Sequence, residues 1–438
     1  MKNFFEPHSI AVIGVSRNSK KIGHIIYKNL ITKYKGKVFP VNPSEKIILK
    51  NKCYPSVLKV PGRIDLAVIA VPSQFVIEVT RECGFKGIKN VIIISSGFKE
   101  IGNNELEEKL RRTLNHHNIK CIGPNCLGTF DAHSKLDTLF LPEDKLQRPK
   151  PESIAFVSQS GALASALLDL TSSQGYGFSK FISYGNAINI DESDYLEYLD
   201  KDKQTKVICL YIEGIKDGKK FMRICKQIKK PIIVIKGGKS KRTSEATLSH
   251  TGSLAGSYEI YKGAFKQCNL IPADSLEQMF HIAKLYTSSN PPKGKRVQII
   301  TNGGGYGIVT ADAVEKEGLQ LATLSNNTKE LLKKSLSPLC TISNPIDLVG
   351  DSDDKRYKLA IDSTLKDSGN DSILVILLPQ TPLITDRIID SFPKNPKKPV
   401  VVIMTGGKTK SLKQKLESKG IPVFDFPDEA VSALAKFI

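Results

Sequence analysis

The sequence predicts an α/β protein built from three tandem doubly wound domains. Short runs rich in valine and isoleucine alternate with amphipathic, helix-like stretches along all 438 residues. Continuous apolar runs of this kind are typical of parallel strands covered by helices on both faces. Polar segments that contain proline interrupt the alternation near residues 142–152 and 288–295. Because a chain of this length exceeds one ordinary core, these interruptions predict domain boundaries.

The first domain is expected over residues 1–130, with a Rossmann-like nucleotide-binding fold. Its predicted strands cover residues 9–14, 37–41, 66–71, 91–95 and 120–122. Helical patterns at 74–83 and 105–116 connect some of these strands. Residues 131–152 are polar and contain several prolines and lysines, so we expect them to form a linker.

The second domain is expected over residues 153–287 and the third over residues 296–438. Predicted strands of the second domain are 154–158, 207–212 and 232–236, with helices starting at Gly161 and covering 258–268. Predicted strands of the third domain are 297–301, 373–378 and 400–404, with a helix starting at Ile308. Each series again alternates strands with helices and predicts a parallel sheet.

The net charge of +20 is the unusual feature of the composition. A basic surface attracts nucleic acid, but here the lysines are spread along the whole chain, and tryptophan is absent. We therefore expect no nucleic-acid partner, and the charge is explained instead by a lysine-rich host proteome, by anionic substrates or by an acidic partner subunit. No apolar run is long enough to cross a bilayer and the first residues carry no secretory core, which predicts a cytoplasmic protein with no membrane partner.

The eight cysteines lack CxxC pairs and metal-ligand spacing, so we expect buried free thiols and no metal site. Cys126 is singled out because it follows Pro124 and Asn125 near a predicted strand end. A covalent acyl-cysteine at Cys126 is one interpretation, although no histidine or aspartate is identifiable as its base. A small buried side chain is the other.

The loop after the first predicted strand suits a phosphate group. It runs over residues 13–23 from strand into helix, begins with Gly14, and carries three basic side chains within residues 17–21. It departs from the GxGxxG pattern because Ser16 stands at the second glycine. Asn42 stands where a nicotinamide site would carry an acidic residue. Both departures argue against a nicotinamide cofactor.

Two later loops also run from a strand into a helix. One contains Ser160, Gly161 and Ala162, and the other contains Gly304 and Gly305. Helix N-termini of this kind present unpaired N–H donors and a positive dipole end to an anion. Each loop alone is also compatible with a simple tight turn.

His250 is the candidate nucleophile. It lies in residues 249–256, among small hydroxyl residues and glycines that include Gly252. A neutral imidazole is a nucleophile near pH 7 and can accept a phosphoryl group. Such a histidine needs a carboxylate on its second nitrogen, and Glu213, at the end of a predicted strand and followed by Gly214, is the best-placed candidate.

These motifs together resemble the alpha subunit of the nucleoside-diphosphate-forming acyl-CoA synthetases, relatives of succinyl-CoA synthetase. The most specific match is Ser-His-Thr-Gly at 249–252 followed by Leu-Ala-Gly at 254–256. Gly-Pro-Asn at 123–125, Ser-Gln-Ser-Gly at 158–161, Ile-Glu-Gly at 212–214 and residues 302–305 agree in order. The resemblance covers essentially the full length, and implies a CoA-binding Rossmann-like domain followed by two flavodoxin-like domains.

The resemblance also implies roles for individual residues. His250 would carry the phosphate and Glu213 would stabilise it. The residues expected around the phosphate are Ser160, Gly161, Ala162, Gly252, Gly304 and Gly305. Those expected along the CoA crevice are Gly14, Ser16, Asn42, Pro43, Val71, Pro72, Ser95 and Gly97. Gly303 departs from the alanine more common in the family, which should loosen its turn.

The implied reaction interconverts acyl-CoA, ADP and phosphate with a free acid, ATP and CoA through an acyl phosphate. The acid is expected to be acetate or another small carboxylic acid. The chain has no P-loop GxxxxGK[ST] and no module that resembles an ATP-grasp fold. The resemblance therefore implies that ADP or ATP binds with Mg on an ATP-grasp beta subunit, in an α2β2 heterotetramer.

Three alternatives stay open at this point. One is a non-catalytic, CoA-binding regulatory subunit of the same fold. Another is an NAD-dependent oxidoreductase, which the missing GxGxxG disfavours. The third is a CoA-dependent acyltransferase that acts on protein lysines, and the chain has no spare length for its acetyltransferase domain.

Overall fold

The computed structural model describes residues 1–173, 175–240, 257–406 and 409–438. The chain forms two compact units, Met1–Asp274 and Ser275–Ile438. The first unit contains two large sheets and a small hairpin, and the second unit contains one large sheet. The predicted α/β class with parallel-dominated sheets is confirmed. His250 and Gly252 lie outside the described residues.

The first sheet has five parallel strands in the order β2-β1-β5-β6-β7. Strands β1, β5 and β6 are buried along their whole length, which explains why their sequences are continuous apolar runs. The strands are β1 (Ser9–Ile13), β2 (Lys37–Val41), β5 (Leu66–Ile69), β6 (Asn90–Ile93) and β7 (Lys120–Ile122), with a hairpin of β3 (Ile47–Ile48) and β4 (Asn51–Lys52). The helices are α1 (Ile22–Lys33), α2 (Ser73–Phe85) and α3 (Asn104–His116), with short 3-10 turns at Lys2–Phe4, Val57–Lys59 and Lys99–Ile101.

The second sheet has the order β14-β13-β12-β10-β11-β8-β9. Strands β10 to β14 pair in parallel, and β8 and β9 pair antiparallel at one edge. The strands are β8 (Gly128–Asp131), β9 (Leu136–Asp137), β10 (Pro151–Ser158), β11 (Phe178–Ser183), β12 (Val207–Ile212), β13 (Ile232–Lys236) and β14 (Ile271–Pro272). The described helices are α4 (Gly161–Ser173), α5 (Glu192–Lys201), α6 (Gly218–Cys225) and α7 (Tyr258–Gln267).

Part of the expected linker belongs to this second sheet. Strand β9 and the start of β10 fall within residues 131–152, and β8 ends at Asp131. The strands β8 and β9 are only four and two residues long, which is too short for a periodic pattern to reveal. The segment is further anchored where the Arg148 Nε atom donates to Asp137 Oδ2 over 2.7 Å.

A buried ion cluster fixes the antiparallel edge of the second sheet. Lys180 is completely buried and lies opposite Asp131 in the β8–β11 register. Its Nζ atom is 3.2 Å from Asp131 Oδ2 and 3.0 Å from Asp202 Oδ2. It also donates to Gln204 Oε1 over 2.9 Å. Charges buried in this way are tolerated because each has a close partner.

The second unit contains a sheet in the order β17-β18-β15-β19-β20-β21, with β16 paired to β15. All pairs are parallel except β17–β18. The strands are β15 (Arg296–Thr301), β16 (Gln320–Leu321), β17 (Thr341–Ile342), β18 (Ile346–Asp347), β19 (Ser372–Ile376), β20 (Val400–Ile403) and β21 (Val423–Phe424). The helices are α8 (Leu276–Ser288), α9 (Gly304–Lys316), α10 (Asn326–Ser335), α11 (Asp354–Lys366), α12 (Lys410–Ser418) and α13 (Pro427–Phe437), with a 3-10 segment at Asp386–Ser391.

One element boundary differs from the sequence-based expectation. Helix α9 begins at Gly304 rather than Ile308, because a glycine-rich turn can take helical geometry although glycine propensity argues against it. The second compact unit begins at Ser275, and within it α8 packs on α13.

The eight cysteines are free thiols, and all but Cys340 are buried, as the sequence predicted. Within the described ranges, we find no helix that combines the length and apolarity needed to span a bilayer.

Replacement of Lys180 by methionine should destabilise the first unit by about 3–5 kcal/mol, because it leaves two buried carboxylates without a cation. Urea unfolding followed by circular dichroism measures this loss. The control is Lys201→Met, which removes an exposed pair with Glu197 and should cost less than about 1 kcal/mol. Equal, small losses in both variants would contradict a structural role for the Lys180 cluster.

Candidate functional site

One cavity of about 1170 Å³ lies in the first unit, beyond the carboxyl ends of strands from both of its large sheets. Most of the predicted site residues that the structure describes in this unit line it. From the predicted CoA crevice and phosphate loop, these are Gly14, Ser16, Asn42, Pro43, Val71, Pro72, Ser95, Ser160, Gly161, Ala162 and Glu213. The cavity therefore joins the loops that the sequence assigned to CoA with those that it assigned to phosphate.

Gly14 allows two backbone segments to approach closely at the start of the cavity. Its φ is +94°, and a Cβ atom at this position would lie 2.3 Å from the Ala70 carbonyl oxygen. Its N–H donates to the Val41 carbonyl over 2.9 Å. Gly23 has a matching role in α1, since its Cβ would lie 2.2 Å from the Gly14 carbonyl oxygen. Only glycine fits these contacts.

Asn42 braces two loops of the crevice rather than facing a ligand with both polar atoms. Its Nδ2 donates to the Val15 carbonyl over 2.7 Å, and its Oδ1 accepts from the Ser44 N–H over 2.8 Å. The Ser95 hydroxyl similarly donates to the Val71 carbonyl. These bonds set the spacing of the strand ends that form the crevice.

The basic residues of the first loop are divided between two roles. Lys21 lines the cavity and gives its mouth a positive charge. Arg17 instead pairs with Glu45 over 2.7 Å. The Ser16 carbonyl bonds the ring Nδ1 of His24 over 2.7 Å, which ties the loop to helix α1.

Gly97 is not part of the cavity lining. Its φ of +109° belongs to a turn in which its N–H donates to Glu100 Oε1 over 2.6 Å. Gly97 was predicted to line the CoA crevice only because it is a small residue near a strand end. A small residue at a strand end can serve a turn as well as a ligand, and in the structure Gly97 belongs to a turn.

Gln159 connects the two loops on the second-sheet side of the cavity, and sequence analysis did not assign it a role. Its side chain is 8% exposed, and its Oε1 accepts from the N–H groups of Glu213, over 2.7 Å, and Gly214, over 3.1 Å. The start of helix α4 at Gly161 is thereby held beside the Glu213 turn. The sequence could have indicated this role, because Gln159 follows β10 and Glu213 follows β12, and these two strands are neighbours in the sheet.

Glu213 is half-buried and lies beside Tyr211 and Lys236. Burial and the Glu213 carboxylate raise the pKa of Tyr211 to about 12, so the Tyr211 hydroxyl stays protonated. Burial lowers the pKa of Lys236 against the opposing effect of the Glu213 charge. Gly237 packs closely against this tyrosine, since a Cβ at Gly237 would lie 2.4 Å from the Tyr211 hydroxyl.

Cys126 lines the cavity but is only 3% exposed, and its Sγ donates to the Ile93 carbonyl over 3.4 Å. Burial raises its pKa to about 12. Because the thiolate is the nucleophilic form, this thiol is poorly suited to an acyl-cysteine intermediate. The interpretation of Cys126 as a small buried side chain is favoured.

Gly304 and Gly305 begin helix α9 in the second unit, at the carboxyl end of β15. The turn before them is braced: the Thr301 hydroxyl bonds both backbone groups of Gly303, and Asn302 exchanges hydrogen bonds with Leu378. A Cβ at Gly303 would lie 2.6 Å from Leu378 Cδ1. Leu378 therefore fills the space that an alanine would use, so the expected loosening at Gly303 is offset by packing.

Three family models match the chain in succession. Residues 8–131 match the CoA binding domain, residues 151–286 match the succinyl-CoA ligase like flavodoxin domain, and residues 297–437 match the ligase-CoA domain.

Two curated relatives illustrate how far the similarity extends. The chain is 40% identical to the alpha subunit of ADP-forming acetate–CoA ligase II from Pyrococcus furiosus, over 98% of this chain and 95% of that one. It is 41% identical to an ADP-forming acetate–CoA ligase from Methanocaldococcus jannaschii, over 99% of this chain and 62% of that protein. The chain thus matches nearly all of a separate alpha subunit and less than two thirds of the longer ligase.

Among solved structures, acetyl-coenzyme A synthetase 1 from Ca. Korarchaeum cryptofilum, in complex with phosphate and ADP, matches with a TM-score of 0.92. The sequence identity is 36%, and the match covers 100% of this chain and 96% of that chain.

Gly14→Ala should weaken CoA binding at least tenfold, since the added methyl group meets the Ala70 carbonyl and the φ of +94° is strained for alanine. Isothermal titration with CoA measures the affinity. Gly87→Ala is the matched control, because Gly87 also has a positive φ of +81° but no atom within 4 Å of an added Cβ. Unchanged CoA affinity in a folded Gly14→Ala protein would contradict the crevice assignment.

Proposed function

This chain belongs to the family of ADP-forming acetate–CoA ligase alpha subunits, and we propose that it is the CoA-binding, catalytic subunit of an acid–thiol ligase. The enzyme would interconvert acyl-CoA, ADP and phosphate with a free acid, ATP and CoA. Acetate or another small carboxylic acid is the proposed substrate. The proposed intermediates are an acyl phosphate and a phosphohistidine at His250.

The observation that carries this proposal is the single cavity shared by two sheets. Gly14, Asn42 and Val71 line it from the first sheet, and Gly161 and Glu213 line it from the second. A thioester held in the first crevice would meet a phosphate held at the start of α4 without leaving the cavity. Positioning of this kind converts a reaction between two bound molecules into an effectively unimolecular step.

Chain topology supports the pairing of Glu213 with His250. Strands β12 and β13 are parallel neighbours, so both end at the same edge of the sheet. Glu213 directly follows β12, and His250 follows β13 in the sequence. In the proposed mechanism, the Glu213 carboxylate accepts a hydrogen bond from one imidazole nitrogen and thereby leaves the other nitrogen free to accept the phosphoryl group.

Phosphate oxygens would be neutralised by helix dipoles and backbone donors. Ser160, Gly161 and Ala162 at the start of α4 supply one such group. Gly304 and Gly305 are proposed to supply a second set of backbone N–H donors. The backbone of Gly252 is proposed to bind the phosphate as well. Such preorganised donors stabilise developing negative charge without reorganisation during the reaction.

The nucleotide is proposed to bind elsewhere. Relatives of matching length are named as alpha subunits, which implies a separate beta subunit, and the chain has no P-loop. We infer an ATP-grasp partner that holds ADP or ATP with Mg, in an α2β2 assembly. A cytoplasmic location stays a prediction.

The catalytic interpretation is favoured over a non-catalytic CoA-binding subunit, because the relatives at about 40% identity are ligase subunits. The placement of Glu213 against Gln159 at the start of α4 supports the same choice.

Glu213→Gln should lower ATP formation from acetyl-CoA, ADP and phosphate by about 10–100-fold, because glutamine keeps the shape but loses the charge that stabilises a phosphoimidazole. A coupled ATP assay on the chain combined with its ATP-grasp partner measures this. Glu197→Gln, at an exposed carboxylate paired with Lys201, is the control and should retain full activity. ADP-dependent activity of the isolated chain would contradict the proposal that the nucleotide site is on a partner.

A further inference from the structure

Asn186 is a junction between the CoA crevice and the second domain. Its Nδ2 donates to Glu100 Oε2 over 2.7 Å and to Glu107 Oε2 over 2.9 Å. Its Oδ1 accepts from Asn125 Nδ2 over 3.4 Å. Its carbonyl accepts from Lys216 Nζ over 2.6 Å, just after the Glu213 turn. The Asn186 side chain therefore joins Asn125, which lines the cavity, to the two carboxylates, and its backbone carbonyl holds Lys216.

The two carboxylates determine which way the Asn186 amide faces. The carboxylate oxygens of Glu100 and Glu107 both accept from Asn186 Nδ2, so the NH2 group of Asn186 points at these two residues. The Asn186 Oδ1 then points at Asn125 and can only accept. Asn125 must consequently present its own NH2 group to Asn186, and its amide cannot flip.

This orientation leaves Asn125 with one unused amide hydrogen. Asn125 lines the cavity, and across the ranges that the structure describes we find no protein acceptor for its second Nδ2 hydrogen. Its backbone is fixed as well, because its N–H donates to the Ser95 carbonyl over 2.9 Å. A Cβ at Gly185 would lie 2.2 Å from the Asn125 carbonyl oxygen, so the two loops are in close contact.

Asn125 also lies where the two halves of the cavity meet. Ser95, its backbone partner, belongs to the crevice of the first sheet. On the other side, Leu127 lies close to the start of α4, since a Cβ added at Gly161 would be 3.7 Å from Leu127 Cβ. The amide is thus held between the predicted thioester end and the predicted phosphate end of the same cavity.

We propose that Asn125 is a catalytic residue whose free amide hydrogen donates to the acyl carbonyl oxygen, and that Asn186 is its positioning residue. The inference rests on the proposed function and adds the group that acts on the acyl carbon. A phosphate oxygen attacks the thioester carbon and forms the C–O bond, while the carbonyl π electrons move to the oxygen. Collapse of this oxyanion breaks the C–S bond, and the leaving thiolate takes the proton of the hydrogen phosphate.

A donor directed at the developing oxyanion stabilises the transition state more than the ground state. Asn125→Gly should therefore slow single-turnover release of CoA thiol from acetyl-CoA and phosphate by about 100-fold. Glycine is a suitable replacement because Asn125 has a left-handed φ of +57°. Asn125→Asp, which keeps the size and replaces the donor with an acceptor, should show a similar loss.

The experiment uses the chain assembled with its partner and measures two partial reactions. Labelling of His250 from ATP does not involve the acyl carbon, so it should be unchanged in both Asn125 variants. Asn118→Gly is the matched control, because Asn118 also has a left-handed φ, of +51°, and is exposed outside the cavity. It should leave both partial reactions unchanged.

The role of Asn186 is tested by a double-mutant cycle. Asn186→Ala should slow thiol release in the wild-type background and have little further effect in the Asn125→Gly background, since it acts through Asn125. Additive losses, or a parallel loss of histidine labelling, would overturn the positioning role.

The outcomes separate this inference from the proposed function. If the wild-type enzyme releases thiol and labels His250, and Asn125→Gly is equally fast in both reactions, the inference about Asn125 is overturned and the proposed function stands. Wild-type enzyme that does neither would overturn the proposed function together with the inference.

Discussion

The arrangement of the first unit depends on the order of the parallel strands, which reverses once in each large sheet, between β1 and β5 and between β10 and β12. At such a point the loops leaving neighbouring strands run to opposite sides of the sheet and open a crevice. Gly14 and Val71 line the first crevice, and Gly161 and Glu213 line the second. Because both crevices open into one cavity, the fold brings the proposed thioester site and the proposed phosphate site together.

Neutral amide side chains then hold the loops of this cavity in place. Asn42 links the loops after β1 and β2, Gln159 links the start of α4 to the Glu213 turn, and Asn186 links the two domains of the unit. An amide offers both donors and acceptors and adds no net charge. This choice suits a site for phosphate, where additional carboxylates would repel the substrate and additional lysines would compete with the helix N-termini for it.

The buried parallel strands were predictable from sequence because they are long enough to give an apolar pattern. The predicted strand 37–41 coincides with β2 as observed (Lys37–Val41). Strands β8 and β9 were missed because they are short and lie among polar residues. For the site, strand ends and motif order singled out Glu213 and Gly161, which line the cavity, and Gly97, which does not line it, but they did not reveal Gln159. The role of Gln159 depends on its contact with Glu213, which is more than 50 positions away in the sequence, whereas Gly97 belongs to a local turn with Glu100.

The central claim is a phosphate relay through His250, and incorporation of label from ATP tests it most directly. The chain is incubated with labelled ATP, with and without its ATP-grasp partner, in wild-type form and as His250→Ala. The account predicts an acid-labile, base-stable label that requires the partner and disappears in His250→Ala. Absence of label under every condition, in protein that still binds CoA, would contradict it and point to a non-catalytic CoA-binding subunit.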